Sequence, residues 1–541
     1  MRMKKYLYFV ALMLTTTCLQ SCLDENPKDQ ISEDELFSTS HALVQNTVAT
    51  LYYYIGGDSE SQGLQGTARG VYDYNEITTD EIIIPIRSAD WYDGGFWEDL
   101  YMHTWTASDA TLLKTWNYLY QVIVLCNRSL QRLTDNSHLL TTQQLATCRA
   151  EVRALRAMYY YYLLDLFGNV PLVTSAETSI DEVAQSRRSE VFKFTFKELQ
   201  DVEKLLANEH SNIKGDYYGR MTRPVAYFLL AKLALNAEIY TDDNWTDGQR
   251  PDGKNIFFTV DGAHLNAWQT TEAYCEKIEK CGYRLESRYE NNFKVHNSNS
   301  VENIFTIPMD KTLYTNRFIY LFRSRHFDQG SAYGLGSENG PCATLTTVKT
   351  YGYGTPNVDT RYALNFFSDT VKVDGHTITT DNGDPLVYRP LAVINFDISG
   401  TLFEKTAGAR MHKYEIDETA YDDGKLQDND IVLFRYADVL LMRAEALVRN
   451  GGNGDKYLNQ VRARASMEPR EATLKNLLDE RLMELCWEGW RRQDMIRFDT
   501  FHKEYDIREP QHNEESRFTI VFPIPSKTLS MNKNLKQNPG Y

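Results

Sequence analysis

Between Ile82 and Trp105, six aromatic residues stand among Arg87, Asp90, Asp93 and the turn Gly94-Gly95. They are Trp91, Tyr92, Phe96, Trp97, Tyr101 and Trp105. This mixture suits a sugar ring. Pyranose C–H groups stack on a flat π face, while paired hydroxyls bond charged side chains alongside. The segment has no core-forming period. Trp97 and Trp105 are expected to anchor it, and Trp91 and Tyr92 to serve either as platform or as anchor.

The stretch Glu480 to Phe498 offers different chemistry. Glu484 and Glu488 are four residues apart, which on a helix places their Cβ atoms about 5–6 Å apart. A glycosidase uses such a carboxylate pair. Here, however, Arg481, Arg491, Arg492 and Arg497 crowd the pair. Guanidiniums keep carboxylates ionised, whereas a glycosidase acid needs a raised pKa. The expectation is a structural ion-pair network with no catalytic residue, and the same holds for Arg435, Asp438, Arg443 and Glu445. The acidic run Asp417 to Asp430 fits no calcium-loop pattern and reads as a solvated loop. No Cys or His spacing matches a metal site, and no cofactor is assigned.

Helices must position these residues. Val152, Leu155, Tyr159, Tyr162, Leu163 and Leu166 make a helical stripe that stops at Gly168. Ala437, Leu440, Leu441, Ala444, Leu447 and Val448 make another, closed by Gly451-Gly452 and followed by a short helix over Asp455–Ala465. Helix, turn and partner helix with small Ala at the contact resemble a tetratricopeptide-type pair. Similar pairs are expected for Leu112–Leu133 with Gln144–Phe167, and for Val191–Leu206 with Arg223–Tyr240. The fold class is therefore all-α, a scaffold of irregular helix pairs. From Tyr283 to Asp430, and from Gly56 to Thr106, Gly, Asn, Asp and aromatic residues replace the stripes. Short β pieces such as Asn303–Ile307 appear there. Excursions of this length in a compact protein usually carry function.

The N-terminus supplies an address. Arg2, Lys4 and Lys5 precede an apolar run, Tyr6 to Leu14, too short to span a bilayer. Leu19-Gln20-Ser21-Cys22 resembles a bacterial lipobox, whose cysteine is alkylated by diacylglycerol and becomes the new N-terminus; acyl chains then anchor the chain. Residues 1–21 are thus read as a leader and Cys22 as the lipid attachment site. Asp24 and Glu25 look like the acidic signal that sends such lipoproteins to the outer face of the cell.

The full chain has 541 residues and a net charge of -16, a poor match for nucleic acid or anionic lipid. It suits a soluble surface protein or one that handles neutral or cationic ligands. The 35 tyrosines and 8 tryptophans fit helix packing as well as sugar or peptide contacts. Six of the 8 cysteines remain after Cys18 and Cys22 are set aside, several on apolar helical stripes where a thiol acts as a small hydrophobe.

Ordered blocks along the chain resemble the SusD/RagB family of nutrient-binding outer-membrane lipoproteins of Bacteroidetes. They are Asp29 to Ser32 with Leu36-Phe37; Thr79-Asp80-Glu81; Arg153, Arg156 and Ala157 with Tyr160 to Tyr162; and Leu166 to Pro171. Glu302 to Phe305, Arg435 to Ala446, Glu480 to Gly489, Pro523 to Pro525 and Asn534 to Tyr541 complete the set. The resemblance spans residues 22–541 as a single domain, with 22–240 and 283–541 as its N- and C-terminal parts. It implies a lid on a SusC-like TonB-dependent outer-membrane transporter that captures oligosaccharide for import, anchored by lipid and facing the medium. By position it implies that Arg87, Asp90 and Trp91, with neighbouring Tyr92, touch the ligand. It also implies further contacts from the Leu313 to Cys342 excursion, namely Tyr314, Phe318, Tyr320 and Arg323. Where the family's starch binder stacks an aromatic after an Asn-Gly pair, this chain has Asn339-Gly340-Pro341, which argues against starch. A peptide or glycopeptide ligand stays open. A lipid-anchored glycoside hydrolase or a periplasm-facing helical scaffold would also be compatible with the lipobox.

Overall fold

The computed structural model describes residues 37–541. Cys22, the leader and the block Asp29 to Leu36 lie outside the described residues. The architecture is mostly helical, with a few two-stranded antiparallel sheets.

The expected helices form with defined ends. Helix α1 spans Ala110–Asp135 and is capped by Asp109, whose carboxylate accepts from the Thr111 N–H at 2.7 Å. Helix α2, Thr142–Phe167, opens with a reciprocal capping box between Thr141 and Gln144, which satisfies two orphan backbone donors. It stops at Gly168, where φ is +66° and a Cβ would press within 3.0 Å of Trp245. From Ala150 onward, α2 is buried on nearly every side. Its tyrosines remain satisfied because their hydroxyls reach across to neighbours: Tyr159 to the Tyr54 carbonyl, Tyr160 to Val173 and Tyr161 to Gln493. Much of the tyrosine excess is thus interhelical packing with a polar tip.

Helix α3 spans Arg188–Val202 and α4 spans Arg223–Leu235, with Pro224 in its first turn. Here the expected pairing changes. Helix α3 packs chiefly on α2, and α4 chiefly on α5, Ala267–Lys280. Helix α5 was not expected from the sequence, although its Asn266–Gln269 capping box and the buried stripe Trp268, Thr271, Cys275 and Ile278 are legible there. Helix α5 then contacts α6, Tyr436–Arg449, which packs on α7, Asp455–Arg464, and α8, Leu474–Leu485. A short helix α9, Arg491–Arg497, follows.

Four short strands tie the excursions to this stack: β1, Ile82–Ile83; β2, Asn303–Ile307; β3, Cys342–Ala343; and β4, Ile431–Arg435. Strand β1 pairs antiparallel with β3, and β2 with β4. Every residue of β2 and β4 is buried, and Arg435 caps α6 directly from the end of β4. One core cluster runs from Leu43 to Ile524. The six cysteines of the described residues carry no disulfide.

A buried ionic network fixes the C-terminal elements. Arg435 bonds Glu302 at 2.8 Å, Glu484 at 2.5 Å and Glu488 at 2.7 Å. Arg361 bonds Glu480 and Glu484, each at 2.7 Å, and Arg464 adds a bond to Glu484. All of these side chains are essentially solvent-free. Burial alone would raise the Glu484 pKa, but the guanidiniums of Arg464, Arg435 and Arg361 reverse this and hold it well below the carboxylate range. The glycosidase-like pair is thus a structural clamp, with Glu484 held ionised. Another expectation is corrected here. The Asp417 to Asp430 run is solvated only in part: Glu418, Asp422 and Asp423 are exposed, whereas Asp417 and Asp430 are buried. Lys311 bridges Asp417 at 3.0 Å and Asp428 at 2.8 Å, and the Tyr218 hydroxyl donates to Asp430 at 2.6 Å.

Glu484→Gln removes the charge shared by three guanidiniums while keeping the volume. Breaking a buried pair on one side should lower unfolding free energy by about 3–5 kcal/mol. Urea unfolding followed by far-UV circular dichroism measures this, and an unchanged midpoint would show that the clamp does not hold α8.

Candidate functional site

The Trp91 excursion is bolted to the scaffold at its base. Arg491 grips Asp80 through two bonds, at 2.6 and 2.8 Å, and the Glu81 carboxylate accepts from the Trp487 N–H at 2.6 Å. Burial raises the Glu81 pKa to about 7, against the lowering effect of its hydrogen bonds and of Arg491. The Thr79-Asp80-Glu81 block therefore joins the N-terminal excursion to the Glu480–Gly489 block. Beyond it the chain passes through β1, pairs with β3, and exchanges backbone bonds between Ile86 and residues Phe396 and Ile398.

Next comes a two-residue turn. Arg87 and Asp90 exchange N–H···O bonds, both at 3.0 Å, around Ser88-Ala89. Trp91 leaves this turn in the left-handed region, with φ of +67°. For a bulky residue that conformation is costly, and such strain persists only where surroundings over-determine it. Two contacts do so. The indole N–H donates to the Glu338 carbonyl at 3.0 Å, and the ring lies on Gly340, where a Cβ would approach within 2.3 Å. The Asn-Gly pair of the second excursion thus provides the bed for an aromatic supplied by the first.

Trp91 lines a cleft of about 520 Å³. Its floor holds Trp97, buried and bonded to Asp93 at 2.6 Å, and Arg323, whose guanidinium lies 5.6 Å from the Trp91 ring and 4.8 Å from the Trp97 ring. Arg323 is 3% exposed and pairs with Asp73 at 3.1 Å. The walls add Arg69, Arg317, Lys425, Asp58, Glu60 and Glu338. Burial lifts the Glu338 pKa, with Arg323 and Lys425 opposing. The cleft offers an aromatic surface edged by acceptors and donors, as a polyhydroxylated ligand requires.

The site expectations divide. Trp91, Asp90 and Arg323 come together at the cleft. Trp97 and Trp105 are buried anchors; the Trp105 N–H donates to the Tyr541 hydroxyl at 2.7 Å. Arg87 is corrected: it is 1% exposed and its guanidinium binds the carbonyls of Glu404 at 2.7 Å and Ala407 at 2.9 Å. Burial lowers its pKa to about 9, with nearby Arg410 acting in the same direction. It braces the turn from beneath and does not line the cleft. Phe318 and Tyr320 are corrected likewise. Phe318 is buried, and Tyr320 stacks on Tyr72 with centroids 3.8 Å apart while accepting from the Gly66 N–H. Tyr92 is exposed beside the turn but does not line the cleft. Tyr314 lines a separate, largely apolar groove of about 630 Å³ with Tyr53 and Tyr218. Sequence reasoning missed Arg69, Glu338 and Lys425. Arg69 sits in the glycine-rich start of the Gly56–Thr106 excursion, whose irregularity was the available signal.

Residues 357–541 match a family model described as the SusD family, and residues 25–235 match one described as starch-binding associating with outer membrane. The chain is 26% identical over 520 residues to the starch-binding protein SusD of Bacteroides thetaiotaomicron, covering 90% of this chain and 87% of that one. A SusD superfamily protein from Bacteroides vulgatus superposes with a TM-score of 0.69 at 18% identity, covering 93% of this chain and all of that one. Surface glycan-binding protein A from Bacteroides thetaiotaomicron, in complex with laminarihexaose, superposes with a TM-score of 0.67 at 20% identity, covering 92% and 99%.

Arg87→Ala strips the Arg87 donor from the half-buried Glu404 carbonyl and one of two donors from the Ala407 carbonyl, which Arg410 also holds at 2.8 Å, at about 1–3 kcal/mol for the group left unsatisfied. Thermal melts should show a clearly lowered midpoint. A midpoint equal to the parent's would mean that those carbonyls find other partners and that the turn does not rest on Arg87.

Proposed function

The chain belongs to the SusD family, and from that premise we propose that it is a cell-surface glycan-binding protein rather than an enzyme. In this reading Cys22 carries the lipid that holds it on the outer membrane, facing the medium. It captures oligosaccharide and passes it to a SusC-like TonB-dependent transporter. The observation that carries the reading is Trp91. It is a half-buried indole held in a strained backbone conformation on the wall of a charged cleft, at the end of a turn braced from below. Strain maintained by so many contacts marks a ligand clamp more readily than a packing residue. The Glu484–Glu488 pair, sealed among guanidiniums, has no part in the reaction of a glycosidase.

The site is tested by affinity electrophoresis through gels containing laminarin, amylopectin or arabinoxylan. Titration calorimetry with the matching hexasaccharide follows. Trp91→Ala should lose about 2 kcal/mol or more of binding, as a central aromatic contact does. Its melting midpoint should fall less than that of Trp105→Ala, which empties a core position at about 3–5 kcal/mol. Normal binding by Trp91→Ala would move the site elsewhere, and saturable hydrolysis of the glycan would overturn the binding-protein reading.

The anchor is tested independently. Cys22→Ala, expressed in cells lacking the partner transporter, should leave the membrane fraction and appear soluble. Retention in the membrane would refute lipid attachment at Cys22.

A further inference from the structure

We infer that the Trp91 cleft is built for an uncharged glycan and rejects polysaccharides bearing carboxylate or sulfate groups. This deepens the glycan-binding reading and rests on it.

The inference comes from how the cleft's charges are already committed. Every cation lining it has a carboxylate of the protein beside it. Arg69 pairs with Glu60 at 3.0 Å and with Asp93 at 2.9 Å. Arg317 pairs with Asp422 at 3.0 Å. Lys425 faces the same Asp422 at 3.9 Å and lies 4.2 Å from the centre of the Phe322 ring. Arg323 pairs with Asp73 at 3.1 Å beneath the two indoles. A ligand carboxylate or sulfate would thus meet cations whose charge a protein carboxylate already offsets, and the Arg323 N–H groups without a hydrogen-bond partner, at Nε and Nη2, are sealed from solvent beneath the indoles, out of reach of the fork such an anion needs.

The acceptors are in the opposite state. Glu338 and Asp58 line the cleft with no cation in salt-bridge range among the described residues. Among those residues, Asp58 accepts only from Ser59 at 2.9 Å and, at 3.4 Å, from Tyr53. Among the described residues, the Asp90 carboxylate pairs only with Lys405, at 3.6 Å, which stands outside the cleft lining. Free carboxylates at the wall of an aromatic cleft accept from hydroxyls, and these charge-assisted bonds are stronger than neutral ones. They repel an anion over the same distances, since screening in physiological salt extends over about 8 Å. The chain's net charge of -16 adds to that repulsion. Quenched cations, free acceptors and a stacking face together describe a site that reads hydroxyl groups.

The test uses the intact mature protein in affinity gels. Laminarin, amylopectin and arabinoxylan are the uncharged polymers; polygalacturonate, alginate and chondroitin sulfate are the anionic ones; chitosan is the cationic one. Retardation is expected in at least one uncharged polymer and in none of the anionic ones. Calorimetry with the hexasaccharide of the retarding polymer should show affinity changing by less than about twofold between low and ~0.5 M NaCl, since no charge pair is formed. Glu338→Gln should weaken that binding by about tenfold or more through the lost charge-assisted acceptor. Retardation by an anionic polymer that Trp91→Ala abolishes would overturn the charge assignment while keeping the site. Tighter, salt-sensitive binding of chitosan would also overturn it. Retardation unaffected by Trp91→Ala would instead remove the site itself, and retardation by no polymer would overturn both readings.

Discussion

Charge without water is the constraint on which this structure depends. Arg435, Arg361 and Arg464 meet Glu302, Glu480, Glu484 and Glu488 in a volume closed to solvent. Each ion there has lost its hydration, so each is tolerable only if its partners are in place. That requirement is geometric as well as energetic. Arg435 ends β4 and caps α6, Glu302 precedes β2, Glu484 lies on α8, and Arg361 comes from the second excursion. One missing partner would leave a bare buried charge, so the four elements are held in a single mutual register.

The cleft inherits its position from that register. Asp80 and Glu81 tie the root of the first excursion to Arg491 and to the Trp487 backbone, directly beyond α8. Asp73, a few residues earlier, holds Arg323 under the indoles. Arg87 then braces the tight turn by filling the carbonyls of the Glu404–Ala407 segment. A loop of this length would ordinarily lose much conformational freedom when it meets a ligand. Here the ordering is done during folding, and Trp91 stands preformed on Gly340. Rigid aromatic presentation of this kind lowers the entropy lost on binding.

The same geometry explains why the residues nearest Trp91 in sequence are not all at the site. Arg87 faces the core while Asp90 and Trp91 face the cleft. Phe318 and Tyr320 fall on the buried side of a segment whose Arg317 and Ile319 face the cleft. An extended chain alternates its faces with period two, so adjacency along it separates roles as often as it joins them.

The sequence alone determined the elements whose signals are local. Helical stripes and glycine stops placed α1, α2 and α6 within a few residues, because these depend on neighbours three or four positions away. It also read the arginine-dense stretch around Glu484 as structural, although Arg481, Arg491, Arg492 and Arg497 pair with other carboxylates and Glu484 is met by Arg361, Arg435 and Arg464. The general location of the cleft was legible too, as an aromatic and charged segment without a core period. Tertiary structure decided the rest. Which helix pairs with which, and that α4 seeks α5, depends on surfaces distant in the chain. Arg87 could be read as a ligand contact until its carbonyl partners, far along the chain at Glu404 and Ala407, came into view. Arg69, with only the irregularity of its excursion to mark it, and Glu338 and Lys425, with no local mark, become a site only where separate loops converge beside one tryptophan. Local physics acts through the backbone and leaves a pattern in sequence, whereas a site made by convergence is a property of distances that only the folded chain defines.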